Sequence, residues 1–416
     1  MKKILNHKYL PYILLLVYII LIHSGEFIRM GDDTRFTAML ENNTMLEALK
    51  LRYNTWSSRI LIELVLFKVV HYPFLWKILD IVICMLFVVG IEKVFLAKNN
   101  SNKVRWIIVA LFIAYPMNDL NSAGWIATTL NYTWPFAFLL LSFILVKKVY
   151  LKQHVSIIEG MFYLLCLSFG ANQEQYAAVA TCTFIMALII ILAQRRFSIW
   201  MLLGSIISLG ELIFILTCPG NDARMIAEIA HWYPTFDNLN FVELLYTGIT
   251  NTLSAYFKNF NMIYFIFTFT LCIGIWNKYK SVFYRLLAII PILAPQCLGF
   301  TNSFKSTRYA NYSNFVSGDA LTLDNYYNYS TYMTASIYLI VCIIICILLY
   351  LYFEDKINSF LCWFILAMGF ANRVVLGFSP TIYASGRRTF FVLYAAFILV
   401  TVVMVKCSTD KKEIQV

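Results

Sequence analysis

Charge is scarce in this sequence. Only 13% of its 416 residues are charged while 61% are hydrophobic, and no polar segment is long enough to fold as a soluble domain. The ten cysteines contain no CxxC pair, which argues against structural disulfides and zinc. The histidines, His7, His23, His71, His154 and His231, stand apart without ligand spacing. No Walker loop, GxGxxG, HExxH or GxSxG is present, so nucleotide and protease chemistry have no support. A basic soluble face is missing as well, which excludes nucleic acid as a partner.

What is present is a series of long apolar runs separated by short polar segments, with a mean hydropathy of +0.72. A membrane-spanning helix needs about 20 mostly apolar residues. The runs predict an all-α, polytopic transmembrane bundle of about twelve spans. The expected organisation is a single integral membrane domain over 1–416, with an external first loop at 24–73 and no soluble domain. Tyr9 to Ile22 follows Lys2, Lys3 and Lys8 but lacks a small-residue cleavage site, so it reads as a retained first helix. Ser58 to Val70, carrying Arg59, Glu63 and Lys68, predicts a helix lying at the outer interface. A tyrosine-rich external loop is expected over Thr301 to Thr331.

The net charge of +11 is first a topology signal. Lysines gather at alternate helix ends, including Lys2, Lys3, Lys8, Lys93, Lys147, Lys148, Lys278, Lys406, Lys411 and Lys412, and place both termini in the cytoplasm. Arginines gather at the opposite ends: Arg29, Arg35, Arg52, Arg59, Arg224, Arg308, Arg373, Arg387 and Arg388. Outward arginine runs against the orientation rule. Its forked guanidinium suits phosphate or carboxylate recognition, and the competing role is structural pairing with external acids.

Five polar motifs fall on this arginine-bearing side: Gly31-Asp32-Asp33-Thr34-Arg35, Asn131-Tyr132-Thr133-Trp134-Pro135, Asn172-Gln173-Glu174, Cys218-Pro219-Gly220-Asn221-Asp222-Ala223-Arg224, and Ser379-Pro380 with Arg387 and Arg388. Polar groups converging on one face of an apolar bundle are the expected shape of a membrane-embedded active site. Adjacent carboxylates repel, so Asp32 and Asp33 need nearby cations, a metal or a raised pKa; Arg29 and Arg35 are the nearest cations in sequence. The plainer readings are a solvated loop for the acidic pair, a turn for Pro219-Gly220-Asn221 and a helix cap for Asn131-Tyr132-Thr133.

In order along the chain, Asp32-Asp33, Trp56 with Arg59, Asn131-Tyr132-Trp134-Pro135, Glu174, Pro219-Gly220-Asn221 with Arg224, and Ser379-Pro380 with Arg387 resemble the GT-C glycosyltransferases. The likeness is greatest to the serotype-converting O-antigen glucosyltransferases and a related, largely uncharacterised group of bacterial membrane proteins. Ser58 departs from the pattern, where a glycine precedes the arginine, and there is no large C-terminal extracytoplasmic domain.

The resemblance implies a bacterial cytoplasmic-membrane enzyme with its active site outside. It would move a sugar from a polyprenyl-phosphate donor to an envelope glycan or lipid-linked acceptor. Asp33 is the expected catalytic base, with Asp32 orienting it or holding a divalent metal such as Mg or Mn. Arg224, Arg387, Arg388, Arg59 and Arg35 are the expected phosphate ligands. Glu174, Asn172, Asn131, Tyr132, Trp56, Asn221 and Asp222 are the expected substrate contacts, with membrane lipid as the surrounding partner. The alternatives are a polysaccharide polymerase or ligase, or a transporter of lipid-linked saccharides.

Overall fold

A computed structural model describes residues 7–96, 102–257, 260–303 and 329–414. Lys2, Lys3, Lys98 and most of the tyrosine-rich loop lie outside the described residues. The described residues form helices and no strand. Among the described residues, seven helices are long and apolar enough to cross a membrane, and four shorter apolar helices accompany them. The chain is therefore a helical membrane bundle. Its contacts divide into two compact units, residues 1–227 with 386–388, and residues 228–385 with 389–416.

The first unit begins with α1 (Leu10–His23), α2 (Asp32–Met39), α3 (Met45–Thr55), α4 (Ile60–Val69), α5 (Pro73–Phe95) and α6 (Asn102–Ile113). It continues with α7 (Trp125–Asn131), α8 (Thr133–Tyr150), α9 (Ile157–Gly170), α10 (Glu174–Ala193) and α11 (Ile199–Leu216). Helix α12 (Gly220–Trp232) follows, with Glu228 to Trp232 belonging to the second unit. Local sequence explains several starts. Pro73 opens α5, where its missing N–H is no loss. Thr44 and Glu47 form a reciprocal capping box on α3. The Gln173 side chain accepts the Tyr176 N–H at the start of α10.

Helix α8 is the core of this unit, packed by α5, α9, α10 and α11. Its apolar side chains are buried almost all round, which is why its sequence lacks a polar stripe. Polar side chains pin the first helices to it. Asp80 of α5 accepts a hydrogen bond from Trp134 Nε1 of α8 at 2.6 Å and sits 2.9 Å from His23 Nε2 of α1. In an apolar medium such partners are needed wherever a carboxylate is buried.

The α4 segment, expected at the outer membrane interface, is ten residues long and packs into the first unit. Ile62, Leu66, Phe67 and Val69 are buried, and so is Glu63, which takes the fork of Arg52 at 2.6–3.1 Å. Of the charges that suggested an interface helix, Lys68 alone is exposed, while Arg59 and Glu63 turn into the protein.

The second unit contains α13 (Phe241–Phe257), α14 (Met262–Lys278), α15 (Val282–Ser303), α16 (Tyr329–Tyr352), α17 (Lys356–Val374) and α18 (Phe391–Ile414). Helix α18 is buried from Phe391 to Met404 and packs on α14 and α17. Tyr256, Tyr264, Phe267 and Phe397 form its aromatic core, with ring centres 5.1–5.8 Å apart in four of the pairs. Arg373, another outward arginine of the sequence reading, is fully buried here. It donates to Asn251 Oδ1 at 2.6 Å and lies over the Phe390 ring.

Candidate functional site

The first unit brings most of the expected site residues together around α7. At the N-terminus of α7, Asp33 is sealed from solvent. Its Oδ1 accepts the Ala127 N–H at 2.7 Å and its Oδ2 the Ile126 N–H at 3.3 Å. Asp33 thus caps a helix nearly a hundred residues away. Gly124 makes the seat. Its φ is +105°, and a Cβ there would lie 2.6 Å from Asp33 Cγ. Burial pushes the Asp33 carboxyl up to about 6, against the opposing pull of the Ala127 and Ile126 N–H groups; the neighbouring Asp32 adds to the rise.

Asp32 has a different environment. Its backbone N–H is tied to Ala123 O at 2.8 Å, but its half-buried carboxylate makes no hydrogen bond or ion pair among the described residues. The nearby arginines do not neutralise the acids as their sequence position suggested. Arg29 donates to Val70 O, and the Arg35 guanidinium stacks 4.8 Å over Trp56. Arg35 is therefore committed to an indole ring in this structure. With both Asp33 oxygens engaged by amides, Asp32 is the member of the pair whose carboxylate is left open to a ligand.

At the C-terminal end of α7 lies a charged cluster. Arg59 Nε and Nη2 reach Glu174 Oε2 at 2.9 and 2.7 Å, and Nη1 donates to Asn131 Oδ1 at 2.7 Å. Arg224 Nη1 stands 3.6 Å from Glu174 Oε1. Burial acts against the Arg59 charge, but the Glu174 carboxylate outweighs it and raises the guanidinium further above its ordinary range. Together the two guanidiniums and the Glu174 carboxylate carry a net positive charge, at side chains 21–27% exposed. Helix α7 has seven residues, so about 9 Å separates the Asp33 cap from Asn131.

Asn172 braces the cluster. Its Oδ1 accepts the Leu61 and Ile62 N–H groups at 2.9 and 3.2 Å, fixing the start of α4 just past Arg59. Its Nδ2 donates to Glu211 Oε2 at 3.2 Å. Glu211 was missed by sequence reasoning, although a lone carboxylate inside the apolar run of α11 marks it. Tyr132 is buried and contributes its carbonyl, which accepts the Tyr176 hydroxyl at 2.9 Å.

The Cys218-Pro219-Gly220 turn is pressed on the end of α3. A Cβ on Gly220 would lie 2.4 Å from the Trp56 nitrogen, and Cys218 Sγ donates to Tyr53 O at 3.2 Å. Asn221 closes the end of α11 through Ile215 O at 2.7 Å, while Asp222 points to solvent. This docking carries Arg224 to Glu174. Arg387 and Arg388 occupy a 3₁₀ turn, Arg387–Phe390, and no hydrogen bond or ion pair joins either to the cluster among the described residues.

The arrangement offers an accessible carboxylate and a partly exposed cationic group held by one short helix. No protein-family model matches the sequence, and no curated protein or solved structure matches it.

Proposed function

We propose that the protein is a GT-C-like glycosyltransferase of the bacterial cytoplasmic membrane, with about twelve spans, both termini cytoplasmic and an external active site. It transfers a sugar from a polyprenyl-phosphate donor to an envelope glycan or lipid-linked acceptor. The observation that carries this reading is the bridging role of α7, which holds the acidic pair at one end and Arg59, Glu174 and Arg224 at the other.

In this mechanism Asp32, rather than Asp33, takes the proton of the acceptor hydroxyl. The hydroxyl oxygen attacks the anomeric carbon as the sugar–phosphate bond breaks. The bonding electrons leave with the polyprenyl phosphate, whose added negative charge is met by Arg224, with Arg59 and Glu174 fixing its position. Asp33 holds α7 in place. Asn172 orients Arg59 through the start of α4.

The test is sugar transfer from a defined polyprenyl-phosphate donor by purified wild type and Arg224→Lys. Lysine keeps the charge and loses the fork. We expect the apparent donor KM to rise about tenfold, equivalent to about 1.4 kcal/mol. An unchanged KM removes the phosphate role, and no transfer by wild type from any polyprenyl-phosphate sugar removes the reading.

A further inference from the structure

A second feature of the first unit lies away from α7, where α8 and α10 end and α9 and α11 begin. The connections 151–156 and 194–198 enclose an open cleft of about 380 Å³, lined by Val149, Lys152, Gln153, Val155, Arg196, Phe197, Ser198 and Trp200. Its walls are tied together. Arg196 donates to Val149 O at 2.7 Å, to Tyr150 O at 3.4 Å and to Gln194 Oε1 at 2.9 Å. Trp200 packs over Gly160, where a Cβ would lie 2.4 Å from its ring.

The charge here is one-sided. Lys148 is matched by Glu159, but Lys152 and Arg196 of the lining, and Arg195 next to Arg196 in the chain, have no carboxylate partner among the described residues. Lys152 and Arg195 also stand in the left-handed region, with φ of +57° and +54°. Glycine would take that conformation without strain, and helices commonly end on it there. The chain instead keeps a cation at both helix ends. Around the mouth, Leu151, Ile157, Phe197 and Ile199 are exposed apolar side chains. A free phosphate would answer the cations alone. A phospholipid with an anionic headgroup would answer both, its phosphate at the cations and its acyl chains along the apolar rim.

We infer that this cleft binds the headgroup of an anionic phospholipid and anchors the first unit to its leaflet. The inference does not rest on the glycosyltransferase reading. Its test is thermal unfolding of the purified full chain in detergent, followed by tryptophan fluorescence. Dioleoyl-phosphatidylglycerol, dioleoyl-phosphatidylcholine or inorganic phosphate is added at matched concentration. Phosphatidylglycerol should raise the unfolding temperature by about 5 °C over phosphatidylcholine. The double variant Lys152→Gly/Arg195→Gly removes both charges while relieving the backbone. It should unfold no earlier than wild type in phosphatidylcholine and lose most of the phosphatidylglycerol increment. The charge-matched control Lys68→Ser/Lys280→Ser should keep that increment. The inference is overturned if phosphatidylglycerol gives no increment, if inorganic phosphate gives the same one, if the glycine variant retains it, or if the control loses it equally.

Discussion

The two ends of α7 handle an acid in opposite ways. Asp33 is sealed and receives only backbone N–H groups, and burial outweighs the support they give its charge and raises its pKa to about 6. Glu174 keeps an exposed edge and is clamped by two guanidiniums. Amide capping builds a rigid joint between distant segments. A partly exposed ion cluster keeps charged groups within reach of solvent. The first arrangement is suited to holding the scaffold, the second to meeting a ligand.

The comparison is broken most severely at Gly124. Alanine there meets the Asp33 carboxylate and Met30 O, both within 2.7 Å, in a backbone conformation that suits glycine. Gly124→Ala should cost about 3 kcal/mol or more. Gly386 also has a positive φ, but open space surrounds the position its Cβ would take, so it should tolerate alanine at about 1 kcal/mol. Unfolding of the two variants in the same detergent checks the contrast.

Next in size is pH dependence. The folded-state pKa of Asp33 lies above its unfolded value, so between about pH 4 and 6 the folded state binds more protons. Stability conferred by the protonated acid is present at pH 4 and lost as pH rises through 6. The contribution is about 2 kcal/mol, and Asp33→Asn should flatten that slope. An unfolding series from pH 4 to 7 in which wild type and Asp33→Asn run parallel would contradict the raised pKa of Asp33.

The charged end should respond more mildly. Glu174→Gln leaves Arg59 and Arg224 without their shared acid. Breaking a buried pair costs about 3–5 kcal/mol, and the partial exposure here brings the expectation down to about 1–2 kcal/mol. The loss should shrink in Glu174→Gln/Arg224→Gln, because one of the two cations that faced the lost acid is gone. A double variant less stable than the single one would show that the two guanidiniums do not share Glu174.

The apolar runs made the helices legible, since length and continuity alone mark them. The chemistry was legible by residue type more than by role. Arginine beside outward turns marked Arg59 and Arg224, but their meeting with Glu174 depends on segments more than a hundred residues apart for Arg59. Arg52 and Arg373 carried the same signal and proved to be internal, because their partners Glu63 and Asn251 lie in runs whose inward faces only packing reveals. The acidic pair illustrates the limit well. Which of two adjacent acids turns inward is set by the phase of α2 and by the Gly124 seat, about ninety residues on.

The most direct measurement compares Asp32→Asn with Asp33→Asn, recording transfer from a defined polyprenyl-phosphate donor and unfolding temperature on the same purified samples. Asp32→Asn should lose about 100- to 10,000-fold in transfer rate while its unfolding temperature stays near wild type. Asp33→Asn should keep transfer within about tenfold and show its change in the pH dependence of stability instead. Near-wild-type transfer by Asp32→Asn, or loss of transfer by Asp33→Asn at unchanged stability, would contradict the assignment of the accessible acid to chemistry and the sealed acid to the scaffold.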